Sequence, residues 1–214
     1  IRGYILKIIF KKKAIVTGCA GFIGSTLVDK LLDLNYQIIG IDNLSTGQKI
    51  FLKNAFTNKN FKFFKCDLLN LNRLKKIFKS SNIVFHFAAN ADVRFGYKHP
   101  YKDLEQNTIG TYNVLEAMRK NNINNIVFCS TGSVYGEPKK FPTPENYNFP
   151  LQTSFYGASK LAGESLIQAY CESYGFKCWI FRFVSILGNR YTHGHVYDFC
   201  KQLFKNSNYS KILE

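Results

Sequence analysis

The short apolar run Ala14, Ile15, Val16, Thr17 breaks off into glycine at Gly18, and apolar positions Ile23, Leu27, Leu31 and Leu34 then recur at helical spacing. A strand that passes at once into a helix, with Gly18, Gly21 and Gly24 in the turn, admits few folds. Gly18 permits the sharp turn, Gly21 lets backbone N–H groups approach a phosphate with no Cβ in the way, and Gly24 allows the helix to pack closely. Phe22 and Ile23 fill out the same turn. Free amides and the helix dipole favour an anion here, and the pyrophosphate of a dinucleotide suits this spacing.

The alternation continues along the chain. Residues 37–41 read as a second strand closing on Asp42, 61–65 as a third running into Cys66, Asp67 and Leu68, and 83–87 as a fourth with a small-residue exit at Ala88 and Ala89. Helical spacing covers 71–78 and, after the Pro100 break, 104–119; a fifth strand spans 125–129, a long helix starts near Ser154, and a sixth strand covers 178–183. This order predicts an α/β fold, a doubly wound parallel sheet of the Rossmann type, with ligands beyond the strands' carboxyl ends. Residues 1–12 read as an N-terminal extension, 13–184 as the domain holding cofactor and catalytic groups, and 185–214 as the start of a substrate-binding segment, most of that second domain being absent. Pro138, Pro142, Pro144 and Pro150 mark an irregular loop of the lid or linker kind.

Bulk properties narrow the function classes. A hydrophobic fraction of 46% with 20% charged residues is that of a globular protein with a core. The net charge of +15 raises nucleic acid as a partner, but the basic residues are scattered and the longest run is only Lys11 to Lys13, so a solvated lysine-rich surface is the reading and no specific nucleic acid is expected. The six cysteines show no C-x-x-C pair, which predicts buried thiols of a reducing cytoplasm with neither zinc nor disulfide. The apolar run 4–10 is too short to cross a bilayer, contains Lys7 and has the wrong flanks for a signal peptide, so no membrane partner is expected. The chain opens on Ile1 with Met118 its single methionine, and its natural start is expected upstream.

Two groups of residues carry the chemistry. Asp42 follows the glycine turn by the interval at which a carboxylate holds the adenosine ribose diol, and it would repel a 2′-phosphate, favouring NAD over NADP. Asp67 is a candidate for the adenine edge, with an ordinary turn aspartate as the alternative. Thr131 ends the fifth strand, and Tyr156 and Lys160, four apart, share one face of the long helix. Tyr156 suits the acid or base on a substrate hydroxyl, Lys160 would tune it and hold ribose, and Thr131 would hydrogen-bond the same oxygen. A phenol with a pKa of about 10 needs roughly 4 kcal/mol of differential stabilisation to fall by about three units, which a neighbouring ammonium and a positive nicotinamide are expected to provide. Asp92 and Arg94 near the sugar site, and Arg190 for a diphosphate, are candidates that serve equally as local surface ion pairs. His193 and His195 read as loop residues, since no carboxylate or cysteine stands at metal-ligand spacing.

Taken together, these residues resemble the NAD-dependent epimerase/dehydratase family of the extended short-chain dehydrogenases/reductases, from about Lys13 to the end. Thr17 to Gly24 is similar to the family's T-G-x-x-G-F-I-G, Asp42 with Asn43 to its ribose-binding end, His86 to Ala89 to its fourth-strand exit, Asn107 with Gly110 and Thr111 to its central helix, and Ser130-Thr131 with Tyr156 to Lys160 to its catalytic set. The resemblance implies NAD as cofactor, a nucleotide sugar as substrate, a homodimer built on helices 104–119 and 156–170, and Asn43, Leu68, Ala88, Ala89 and Asn107 as further cofactor contacts. Within the family it points to UDP-sugar 4-epimerases, which pass through a transient 4-keto sugar. Dehydratases carry Asp-Glu after the catalytic threonine, whereas this chain has Gly132 and Ser133. Ser133 and Ser185 become candidate substrate contacts, Ser185 standing where the family's R-x-x-N pattern, begun here at Arg182, has asparagine. A dehydratase or reductase of the family, or a non-catalytic NAD-binding module, remains the alternative.

Overall fold

A computed structural model describes residues 12–147, 151–192 and 194–205. All but Lys12 of the expected N-terminal extension, Pro150, His193 and residues 206–214 lie outside them, as do the side chains of Arg94 and His195.

Strands β1 (Lys13–Thr17), β2 (Gln37–Asp42), β3 (Phe61–Lys65), β4 (Ile83–His86), β5 (Asn125–Thr131) and β6 (Lys177–Phe183) form one sheet. Their order is β3-β2-β1-β4-β5-β6, and every neighbouring pair is parallel. Helices α1 (Phe22–Asp33), α2 (Lys53–Phe56), α3 (Leu71–Ile77), α4 (Val93–Lys98), α5 (Pro100–Asp103), α6 (Gly110–Lys120), α7 (Phe155–Tyr174) and α8 (His195–Lys205) accompany it. The winding reverses between β1 and β4, which places the ligand crevice of such a sheet beside those two strands.

Burial on both faces explains the apolar strands. In β1, Ala14 and Val16 join Val28, Leu31 and Ile38 in one core cluster, while Ile15 between them joins Ile41, Leu74, Leu115 and Phe128 in the other. Successive strand residues point to opposite faces, so a strand covered on both sides must be apolar at every position. Two core layers therefore clamp the sheet and fix where its carboxyl ends emerge.

All six strands fall where the sequence predicts them, β5 running two residues further because its pairing with β6 continues to Thr131 opposite Phe183. The helix expected from residue 104 begins instead as a π-helical turn over Leu104–Ile109 and becomes α-helical only at Gly110. The helical turns over 49–56 and 93–103 carry no apolar periodicity long enough to be read in advance. Among the described residues no helix is long and apolar enough to cross a membrane. All six cysteines are free thiols.

Candidate active site

The carboxyl ends of the strands open into one cleft of about 450 Å³. Its floor is the glycine turn. Gly18 has a φ of +69°, and its amide donates to the Ile41 carbonyl at 2.8 Å, tying the turn to β2. A Cβ on Gly18 would stand 2.7 Å from the Ala88 nitrogen, and one on Gly24 would stand 2.1 Å from the Gly18 carbonyl oxygen. Gly21 precedes α1 with no side chain capping it, so the first amides of that helix keep their donors for a ligand. Gly18, Gly21, Phe22, Ile23 and Gly24 all line the cleft, with Leu68, Ala88 and Ala89 on the neighbouring wall.

Asp42 and Asn43 line the next part. The Asp42 carboxylate is pinned, Oδ2 accepting the Ala20 amide at 2.9 Å and Oδ1 the Leu44 amide at 2.8 Å. Burial pushes its pKa above the ordinary carboxylate value, against the pull of those amides. A carboxylate offers about four acceptor sites, so lone pairs remain for a diol. An uncapped helix terminus, a turn too tight for side chains and an anchored carboxylate at the end of β2 are the features a dinucleotide requires, and the residues present fit one.

Thr131, Ser133, Tyr156, Lys160 and Ser185 line the same cleft. The hydroxyl of Ser154 caps α7 by accepting the Gly157 amide at 3.0 Å, which places Tyr156 in the first turn and Lys160 one turn on. The Thr131 hydroxyl donates to Ser133 Oγ at 3.2 Å and favours the anion of the nearby Tyr156 phenol, and the Lys160 ammonium sits 4.2 Å from the centroid of the Phe128 ring. Burial holds the Lys160 pKa down to about 8. The Tyr156 phenol runs against expectation: burial first, then the Cys129 and Asp103 charges, push it up to about 12, while only the nearby Thr131 side chain pulls it down. Desolvation of the anion outweighs any neighbouring ammonium here.

Several expected residues stand elsewhere. Asp67 is not in the wall: its Oδ1 caps its own turn at the Leu69 amide, 2.9 Å, and its Oδ2 accepts from Asn43 at 2.8 Å, the turn-aspartate alternative. Asn107, within the π-helical turn, lies buried behind the site, bonded to the Asn90 backbone and to Ser159 at 3.0 Å. Arg190 pairs with Asp29 of α1 instead of facing the cleft. Asp92 is exposed and outside the wall, and the Arg94 side chain is outside the described residues. Residues the sequence did not single out also line the cleft: Cys129 beside Lys160, and Tyr191, whose ring meets Phe22 edge-on at 5.7 Å. Their only advance signal is position after a strand end.

The pattern of the NAD dependent epimerase/dehydratase family matches residues 14–211. The chain belongs to that family. It is 43% identical over 179 residues to a putative UDP-glucose 4-epimerase of Methanocaldococcus jannaschii, covering 82% of this chain and 56% of that protein. A crystal structure of a UDP-galactose 4-epimerase superposes with a TM-score of 0.83 at 39% identity, covering 92% of this chain and 64% of that one. The Bacillus cereus UDP-glucuronic acid 4-epimerase, solved with UDP-glucuronic acid and NAD, gives a TM-score of 0.83 at 30% identity over 90% of this chain and 63% of that one. The chain thus spans about half the length of the curated relatives it matches.

Proposed function

We propose that this chain is the NAD-binding and catalytic part of a UDP-hexose 4-epimerase. The observation that carries the reading is the convergence of Thr131, Tyr156 and Lys160 on the cleft floored by Gly18, Gly21 and Gly24. Gly18 to Gly24 would hold the pyrophosphate, Asp42 the adenosine ribose, and Lys160 the nicotinamide ribose. NAD, when bound, supplies a reversible two-electron acceptor for the hydrogen on sugar C4. Tyr156 takes the proton of the C4 hydroxyl, Thr131 holds that oxygen by hydrogen bond, and Tyr156 returns the proton once the 4-keto sugar has presented its other face. Gly132 and Ser133 offer no carboxylate after Thr131, which disfavours elimination of water and with it the dehydratase reading.

Ser133 and Ser185 in the cleft wall are the substrate contacts this reading retains. A homodimer through the 104–120 and α7 helices is supported by exposed Leu104, Ile109 and Tyr112 on the first and Phe155 on the second, and sedimentation of the whole protein tests it. For the reaction, UDP-galactose incubated with the whole protein and NAD is expected to give UDP-glucose without net NADH. Failure to interconvert any pair of UDP-hexoses overturns the reading. Accumulating NADH would mean that the hydride is kept and the sugar left oxidised, the outcome of a dehydrogenase.

A further inference from the structure

Ser130 and Arg182 are opposite partners in the β5–β6 ladder, and both side chains reach the carboxylate of Glu164 on α7. Arg182 grips it as a fork, Nη2 at 2.7 Å from Oε2 and Nε at 3.1 Å from Oε1, and the Ser130 hydroxyl donates to Oε1. Glu164 is 2% exposed. The rest of the Arg182 head is also committed: Nη1 donates to the Glu145 carbonyl at 2.8 Å, and the guanidinium lies 4.8 Å from the centroid of the Tyr135 ring. Tyr135 closes the turn Gly132–Tyr135 that follows Thr131.

One buried carboxylate thus joins the strand residue beside Thr131, the helix that carries Tyr156 and Lys160, and β6. Glu164 follows Lys160 by four residues, one helical turn away on the same face. We propose that Glu164, held by Arg182 and Ser130, is the positioning residue of the site, fixing α7 against β5 so that Tyr156 and Lys160 meet Thr131. Its catalytic consequence rests on the epimerase reading above.

The titratable groups that act on the Lys160 ammonium are Cys129 from β5, His86 from β4 and Glu164 from its own helix. Burial lowers the Lys160 pKa, and Cys129 and Glu164 oppose that. Glu164 therefore acts on Lys160 by charge as well as by placement. A buried ion pair that serves only stability lacks that second effect, and replacing such pairs is often tolerated.

The deciding experiment compares wild type with Glu164→Gln in the whole protein. The Lys160 titration is read by NMR of lysine labelled at Cε, and kcat and KM are measured for UDP-hexose interconversion across pH. In Glu164→Gln the Lys160 pKa is expected to move down, carrying the alkaline limb of kcat with it, while kcat falls about tenfold or more at nearly constant KM, as misplacement of reacting groups costs. Ser130→Ala, which removes a donor but no charge, is expected to lower kcat less and leave Lys160 titrating in place. A folded Glu164→Gln with unmoved Lys160 titration and wild-type kcat, changed only in melting temperature, overturns the proposal. Where Glu164→Gln does not fold, Arg182→Lys keeps the charge and loses the fork, and a wild-type kcat there overturns the proposal equally. If wild type interconverts no UDP-hexose, the functional reading fails while the Lys160 titration still decides on Glu164.

Discussion

The Nε2 of His86 stands 2.9 Å from the hydroxyl of Thr111, and that hydroxyl is itself committed to the Asn107 carbonyl at 2.5 Å. A carbonyl only accepts, so Thr111 donates to it and accepts from His86, which puts the ring proton on Nε2. Nδ1 then accepts from Thr17 at 2.7 Å, and Thr17 Oγ1 accepts the amides of Phe87 and Ala88. This chain of bonds braces the end of β1 and the exit of β4 directly behind the glycine turn.

A fully buried neutral ring must resist protonation, and burial, then the Lys160 charge, push the His86 pKa from 6.5 down to about 3. The unfolded chain takes up this proton near 6.5 and the folded one only near 3. The stability due to neutral His86 is therefore complete above about pH 6.5 and is lost as pH falls towards 3. His86→Phe removes the titration while keeping a ring, and it leaves the Thr17 hydroxyl proton without its acceptor at a cost of about 1–3 kcal/mol. Thermal melts from pH 7 to 4 are expected to show a lower melting temperature but a flatter acid limb for the variant. Parallel acid limbs would show that His86 is not the group responsible.

Gly24 and Gly175 offer a contrast in why glycine is needed. A Cβ on Gly24 meets backbone, the Gly18 carbonyl oxygen at 2.1 Å, whereas at Gly175 it meets nothing within 4 Å and only the φ of +67° is strained. Gly24→Ala is expected to cost about 1–3 kcal/mol by overpacking and to weaken NAD binding, because relief requires moving the phosphate-binding turn. Gly175→Ala is expected to cost about 1–2 kcal/mol with NAD affinity unchanged. Urea denaturation and an NAD titration on both variants separate the two effects. Equal loss of NAD affinity would refute the turn argument.

What the sequence made legible were features set by local rules. Strands β1 and β2, buried on both faces, read as near-continuous apolar runs, and the glycine turn, Thr131, Tyr156 and Lys160 all reach the cleft wall because each stands at a strand end or on a known helical face. Orientation set by distant partners was not legible. Arg190 turns away because Asp29, 161 residues earlier, is within reach. Asn107 is held inward by the Asn90 backbone and Ser159, and Asp67 spends both oxygens on neighbours. The Ser130, Glu164 and Arg182 cluster escaped notice because its three members come from separate elements and show no common spacing.

Asp42 has two oxygens and each holds one backbone amide, from Ala20 and Leu44. Asparagine has one acceptor oxygen, so Asp42→Asn leaves one of those amides unpaired, at a cost of about 1 kcal/mol. It also removes the charge that would repel a 2′-phosphate. The variant is expected to bind NAD about tenfold more weakly, by the loss of a charge-assisted bond, and to narrow the preference for NAD over NADP. Isothermal titration with both dinucleotides measures this. An unchanged NAD to NADP ratio would remove Asp42 from the ribose site.

Tyr156 is half-buried with its phenol pushed up to about 12 by desolvation, so the protein alone holds it protonated at neutral pH. Only the nearby Thr131 side chain favours the anion, and a positive charge brought beside the phenol must lower its pKa further. Ultraviolet difference titration of wild type against Tyr156→Phe is therefore expected to show this phenol ionising above ordinary tyrosines, and to move downward when NAD is added but not when NADH is. Because the phenolate fraction grows with pH, the acid limb of turnover rises with pH, and its midpoint reports the lowered value in the loaded protein. Tyr156→Phe should lose about 10²–10⁴-fold in kcat while retaining NAD affinity, since the phenyl ring keeps the packing and lacks only the proton carrier. Thr131→Val, which removes the hydroxyl that lowers the phenol, should shift the same acid limb to higher pH. A limb unmoved by Thr131→Val would mean that another group sets the proton's exit.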